Sequence, residues 1–92
     1  MTLEKLSAAK LHAEIAKRRT AYYAATDGFI RAGRGDMRGT DIEAAAKGDS
    51  LLSITRMCRE YLELRAAYNE ACDELDARKR YHGSDKPIKR AA

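Results

Sequence analysis

Leu51, Ile54, Cys58, Tyr61, Arg65, Tyr68, Cys72 and Leu75 follow one another at alternating steps of three and four. That stepping keeps every one of them on a single stripe of an α-helix, whereas a strand would scatter them over both faces. Met57, Leu64 and Ala71 widen the stripe on one side and Leu62 on the other. The result is broader than a two-stranded coiled coil needs and suits a bundle. A helix of this kind requires an apolar partner.

The first half of the chain supplies one. Ala8, Leu11, Ile15, Arg18, Tyr22, Ala25 and Phe29 step in the same way, so residues 3–30 read as a second long helix with Thr2 as its N-cap. On its other face Leu6, Ala9, Ala13 and Ala16 are either alanine filler or a place where another hairpin approaches closely. The stretch AGRGDMRGTD at 32–41 interrupts the pattern with Gly33, Gly35 and Gly39, residues that are costly in a helix and useful in a chain reversal. Thr40 and Glu43 then have capping-box spacing, and Gly48 followed by Asp49 and Ser50 marks a further break. Gly83, after a turn rich in cations, has the character of a helix C-terminal residue.

The expected fold is therefore all-α. An antiparallel helical hairpin occupies 1–83, with helix 3–30, a Gly-rich connector 31–40, a short extra helix 41–48 near the turn and helix 50–82. A flexible basic tail at 84–92 follows, with too few apolar residues to fold alone. At 92 residues, a chain buries only ~60–65% of its unfolded surface. A lone hairpin also leaves half its apolar surface wet, so dimerisation into a four-helix bundle is expected.

The formal charge of +4 is unevenly placed. From Arg78 onward there are six basic residues, Arg78, Lys79, Arg80, Lys86, Lys89 and Arg90, against the single acid Asp85; residues 1–77 carry twelve basic against thirteen acidic. Such a tail reads either as a solvated end or as a contact with phosphate backbones that lacks sequence specificity. Cys58 and Cys72 lie fourteen residues apart in one helix, ~21 Å at the helical rise, so they do not bridge each other. No signal segment opens the chain, and the longest apolar run, AYYAA, is far too short to span a bilayer. The expected setting is cytoplasmic, with no membrane contact.

Arg34-Gly35-Asp36 matches an adhesion tripeptide, which works only outside cells. The loop lacks the spacing of a phosphate-binding loop and follows a helix. It reads as a connector whose Arg34 and Arg38 are available to a partner. His12 and His82 stand near opposite ends of the chain, and no Ser, Thr or Cys sits in a nucleophile motif. No catalytic residue, metal or cofactor is expected. The two cysteines fit small buried hydrophobes.

The arginines within the stripes break the pattern. With Phe29 opposite Leu51, Arg18 falls near Tyr61 and within a turn of Arg65, beside Tyr22 and Tyr68. Guanidinium groups on an apolar stripe must snorkel, pair with a carboxylate such as Glu14, or meet an anionic partner. Arg18, Tyr22, Tyr61 and Arg65, with Arg34 and Arg38, are the candidate partner-binding residues. The expected function is a non-enzymatic helical adaptor or regulator acting through protein contacts, including contacts with itself, of the kind found among bacterial or mobile-element accessory proteins and inhibitors. The alternative is a nucleic-acid-binding accessory protein that uses Arg78, Lys79, Arg80, Lys86, Lys89 and Arg90.

Overall fold

The computed structural model describes residues 2–89, and they are all-helical. A 3-10 turn over Leu3–Lys5 precedes α1 (Ala8–Arg31), α2 (Gly39–Ala46) and α3 (Ser53–His82). Early residues of α1 meet late residues of α3, and Phe29 meets Tyr61 near the other end, so the two long helices run antiparallel. The hydrophobic stripes account for the pairing: Leu11 and Ile15 pack with Ala71, Tyr68, Cys72 and Leu75 at the open end, and Phe29 packs with Cys58 at the closed end.

Helix boundaries differ from the sequence expectation wherever a local side chain competes. The helix expected over 3–30 is broken: Leu6 and Ser7 are extended, and Ser7 caps α1 by accepting the Lys10 N–H at 3.3 Å. Thr2 makes no side-chain cap. The break turns Leu6 into the core beside Leu11 and Ile15. A continuous helical stripe from residue 3 would not have placed it there.

At α2, the helix starts at Gly39 because the Asp41 carboxylate accepts the backbone N–H of Arg38 at 3.0 Å. That satisfies one of the donors left orphaned at a helix start. Thr40 and Glu43 are thus inside the helix, and Glu43 faces Arg65 at 3.7 Å. At the next break Asp49 takes the N–H of Leu51 on its side chain (2.9 Å) and that of Leu52 on its carbonyl (3.0 Å). This Asx-type turn delays α3 to Ser53. Leu51, placed on the stripe by its spacing, is 82% exposed; the packed stripe begins at Ile54. Gly83 ends α3 at φ +65°, with its N–H on Lys79 O at 2.8 Å.

The α2 helix lies against α3 and α1 at the closed end, where Ile42 joins Phe29 and Cys58 in one cluster. Arg59 fastens it by donating to the last carbonyls, Ala46 O at 2.7 Å and Gly48 O at 3.0 Å. The molecule measures 45 × 25 × 21 Å with a radius of gyration of 16.2 Å, against ~12 Å for a compact chain of this length. It exposes 6523 Å², whereas a compact monomer of 10.3 kDa exposes ~5,400 Å². The surplus of ~1,100 Å² follows from having one layer of long helices with a third helix on one side only.

Candidate interaction surface

Between the two apolar clusters lies an aromatic and polar waist. The hydroxyls of Tyr22 (α1) and Tyr61 (α3) share a hydrogen bond of 3.1 Å, with their rings 5.4 Å apart. Tyr22 also stacks on Tyr68 at 5.8 Å, and Phe29 meets Tyr61 edge-on at 5.4 Å. The Tyr61 hydrogen bond, followed by burial, raises the Tyr22 phenol above its ordinary pKa. A cluster of rings with polar tips combines rigid contact area with directional hydrogen bonding, a combination common at interfaces.

The six residues expected to form one patch are only partly brought together. Tyr22 and Tyr61 touch, and Arg65 lies over the Tyr61 ring at 5.8 Å, within cation–π range, with Glu43 of α2 as its counter-ion. Arg34 lines a small cavity of about 110 Å³ together with Phe29, Ile30, Met37, Ile42 and Tyr61. It is close enough to Cys58 to pull that thiol's pKa down, against the larger upward push of burial. Arg38 is exposed, and its backbone N–H caps α2.

Arg18 belongs elsewhere. It donates to Glu14 at 2.9 Å and to the carbonyl of Ala67 at 2.8 Å, and lies 3.7 Å from Glu70. The register of the hairpin accounts for the difference: Arg18 sits level with Ala67 and Glu70, about two turns along α3 from Tyr61. There it forms the basic wall of a cleft of about 540 Å³ that also contains Glu70, Asp73 and Glu74. Its charge is answered within the chain.

The largest departure from the sequence reading is Arg78. Expected as a phosphate-facing cation, it is 0% exposed. Its guanidinium donates to Leu6 O at 2.8 Å, Leu3 O at 3.0 Å, Asp85 O at 2.9 Å and, more distantly, Glu4 O at 3.4 Å, with the buried Glu74 carboxylate 3.7 Å from Nε. Carbonyl oxygens accept more than one hydrogen bond, as Leu3 O does from the Leu6 N–H at 3.1 Å as well, and the planar fork of arginine reaches several of them at once. Arg78 therefore ties the N-terminal arm and the segment after α3 to the core.

Part of the tail expected to be flexible is held by the same contacts. Besides its carbonyl on Arg78, Asp85 places Oδ2 2.9 Å from His12 Nε2. Lys79, Arg80, Lys86 and Lys89 are exposed; Arg90 lies outside the described residues. The His12 hydrogen bond, opposed by partial burial, holds the Asp85 carboxyl below the usual carboxylate range. A depressed carboxylate stabilises the fold above its ordinary range, and that contribution is lost as pH falls through the folded pKa. Asp85→Asn should therefore flatten the fall of the thermal midpoint below about pH 4; an unchanged acid limb would show that the contact contributes nothing in solution.

Both cysteines are free, Cys58 buried and Cys72 half-buried. Among the described residues no group of three His, Cys, Asp or Glu side chains is arranged to hold a metal ion. No described helix is long and apolar enough to cross a membrane. In comparisons with known proteins, the chain matches no family model, no curated protein and no solved structure.

Proposed function

We propose that the protein is a non-enzymatic helical adaptor that works by occupying surfaces on other macromolecules, with a homodimeric four-helix bundle as its working form. The observation that carries this reading is the ~1,100 Å² of surface beyond a compact monomer's share. Each partner in a specific protein complex contributes ~800 Å², so the surplus is of the size that association covers. Partner recognition is assigned to the closed end, where Arg34 lines the small cavity with Tyr61, Arg65 lies over the Tyr61 ring and Arg38 is exposed at the start of α2. Cations around an aromatic anchor suit an acidic protein segment.

Arg65 gives a direct prediction. Its ion pair is half open to solvent and its ring contact is single, contributions worth about 1 kcal/mol or less each. Arg65→Met should thus shift stability little while weakening partner binding by ~2 kcal/mol, the scale of a charge-assisted contact at an interface. Thermal melting and affinity measured on the same variant test this, and unchanged affinity would remove Arg65 from the site.

The nucleic-acid reading rests on the exposed Lys79, Arg80, Lys86 and Lys89, without Arg78. Affinity capture from host cells, analysed for both protein and nucleic acid and repeated at high salt, separates the two. A protein partner retained at high salt supports the adaptor. Nucleic acid alone, lost as salt rises through counter-ion competition, supports the alternative.

A further inference from the structure

The cavity of about 110 Å³ at the closed end has an apolar wall from Phe29, Ile30, Met37 and Ile42, and among the described residues Arg34 is the only charged group that lines it. We propose that this cavity takes one aliphatic side chain of an acidic protein segment, with a neighbouring carboxylate of that segment on Arg34. The inference rests on the adaptor reading above and names the chemistry that its closed end recognises.

Size decides the first half. A cavity of ~150 Å³ takes a benzene molecule, and small-molecule sites begin near ~300 Å³. At about 110 Å³, this one suits a branched alkyl group presented by a larger partner, the way an anchor residue fills a pocket at an interface. Ile30, which lines it, is 63% exposed in the free chain. A partner seated there would cover that apolar area.

Charge decides the second half. Arg18, Arg65 and Arg78 each face a carboxylate of their own chain, whereas no described carboxylate pairs with Arg34. Residues 31–38 carry Arg31, Arg34 and Arg38 against the single acid Asp36, and the next acid, Asp41, is already engaged with the Arg38 N–H. The positive charge reaches inward too: burial pushes the Cys58 thiol up, and Arg34 opposes that push. A carboxylate at the cavity mouth satisfies this cation through a charge-assisted hydrogen bond, which a neutral amide does not match.

The backbone that carries Arg34 is fixed before any partner arrives. Gly33 turns the chain at φ +72°, and the Arg34 N–H bonds to Phe29 O at 2.7 Å. Gly35 lies so close over Ile30 that an added Cβ would stand 3.2 Å from its Cγ1. A wall held in this way loses little freedom on binding.

The test titrates the full chain with acetyl-Glu-Leu-Glu-amide and follows backbone amide signals by NMR, with acetyl-Gln-Leu-Gln-amide, acetyl-Glu-Ala-Glu-amide and inorganic phosphate as controls. The Ile30, Gly35 and Met37 signals should move with the first peptide at about millimolar concentration, and each control should bind ~tenfold or more weakly. Arg34→Gln, a change at an exposed position, should bring the first peptide down to the level of the glutamine peptide. Equal binding of the glutamate and glutamine peptides, or of the leucine and alanine peptides, would overturn the proposal. So would shifts matched by phosphate, no shift at these amides, or the same shifts when the protein alone is concentrated, which would give the cavity to a second copy. Should Arg34→Gln lose helicity, the wild-type series decides alone. A captured protein partner that Arg34→Gln retains unchanged would overturn this site and keep the adaptor, whereas nucleic acid as the sole captured partner would overturn the adaptor reading itself.

Discussion

Arg78→Ala should destabilise the protein by ~3–5 kcal/mol, the range for removing one partner from a buried charged network. The reason lies in what remains behind. The carbonyls of Leu3, Leu6 and Asp85 lose a donor at 2.8–3.0 Å, and Glu74 is left buried without the cation beside it. A buried acceptor that loses its donor carries a cost of ~1–3 kcal/mol, smaller at Leu3 O, which keeps the Leu6 N–H, and partly relieved if the arm swings out to water. That relief gives the variant a signature. Leu3 and Leu6 would leave the cluster they form with Leu11, Ile15 and Ala71, so backbone amides of residues 3–8 should exchange with solvent faster while those of Phe29 and Ile42 keep their protection. Arg78→Lys should recover little, because an ammonium lacks the fork that reaches carbonyls from two segments. A melting temperature equal to wild type's would show that the guanidinium is not buried in solution.

Phe29→Ala should cost a similar ~3–5 kcal/mol, by a different route. Phe29 is the only aromatic side chain in the closed-end cluster that is fully inside, packed with Ile42 and Cys58 and edge-on to Tyr61. Its loss opens a cavity where α1, α2 and α3 meet. Since α2 has only eight residues, it is far too short to hold helical structure alone and depends on that contact. Loss of protection should therefore concentrate in 39–46, and the Cys58 thiol, now buried with its pKa raised by desolvation, should react with a thiol probe more quickly. A Phe29→Ala variant with native stability and an unreactive Cys58 would contradict this packing. For a domain of this size, whose total stability is ~5–10 kcal/mol, either substitution removes a large share.

The sequence and the structure part company in instructive places. The stripe from Ile54 to Leu75 was legible because burial imposes helical stepping on apolar residues, and those residues do face α1 and α2. Ser7 was not, because the step from Leu6 to Ala9 on the other face spans it and nothing in the spacing favours it over Thr2 as the cap; only its bond to the Lys10 N–H shows that the helix starts there. Arg78 was misread for a related reason. In a run of cations near a chain end, solvation is the ordinary expectation, yet Met57, Leu64, Ala71 and Arg78 are spaced by sevens, the row that widens the packed stripe. Glu74 one turn earlier supplied a second sign, since acid and base at that spacing share a face. The register of the hairpin was beyond reach of spacing alone. It depends on the turn that delays α3 to Ser53 and on Arg18 meeting Ala67, and both are set by polar contacts that carry no periodicity.

The site followed the same division. Tyr22 and Tyr61, placed together by apolar stepping, do meet; Arg18 and Arg65, placed together by an assumed register, have separate partners in Glu14 and Glu43. The connector placed Arg34 beside the closed-end cavity through turns at Gly33 and the Arg34 N–H to Phe29 O bond of 2.7 Å. Nothing in the spacing of AGRGDMRGTD indicated that fold-back.

Sedimentation equilibrium of the wild-type chain at low micromolar concentration tests the central claim most directly. A dimeric bundle predicts a mass of twice 10.3 kDa, with a thermal midpoint that rises with protein concentration as association requires. A mass of 10.3 kDa with a concentration-independent midpoint would contradict it.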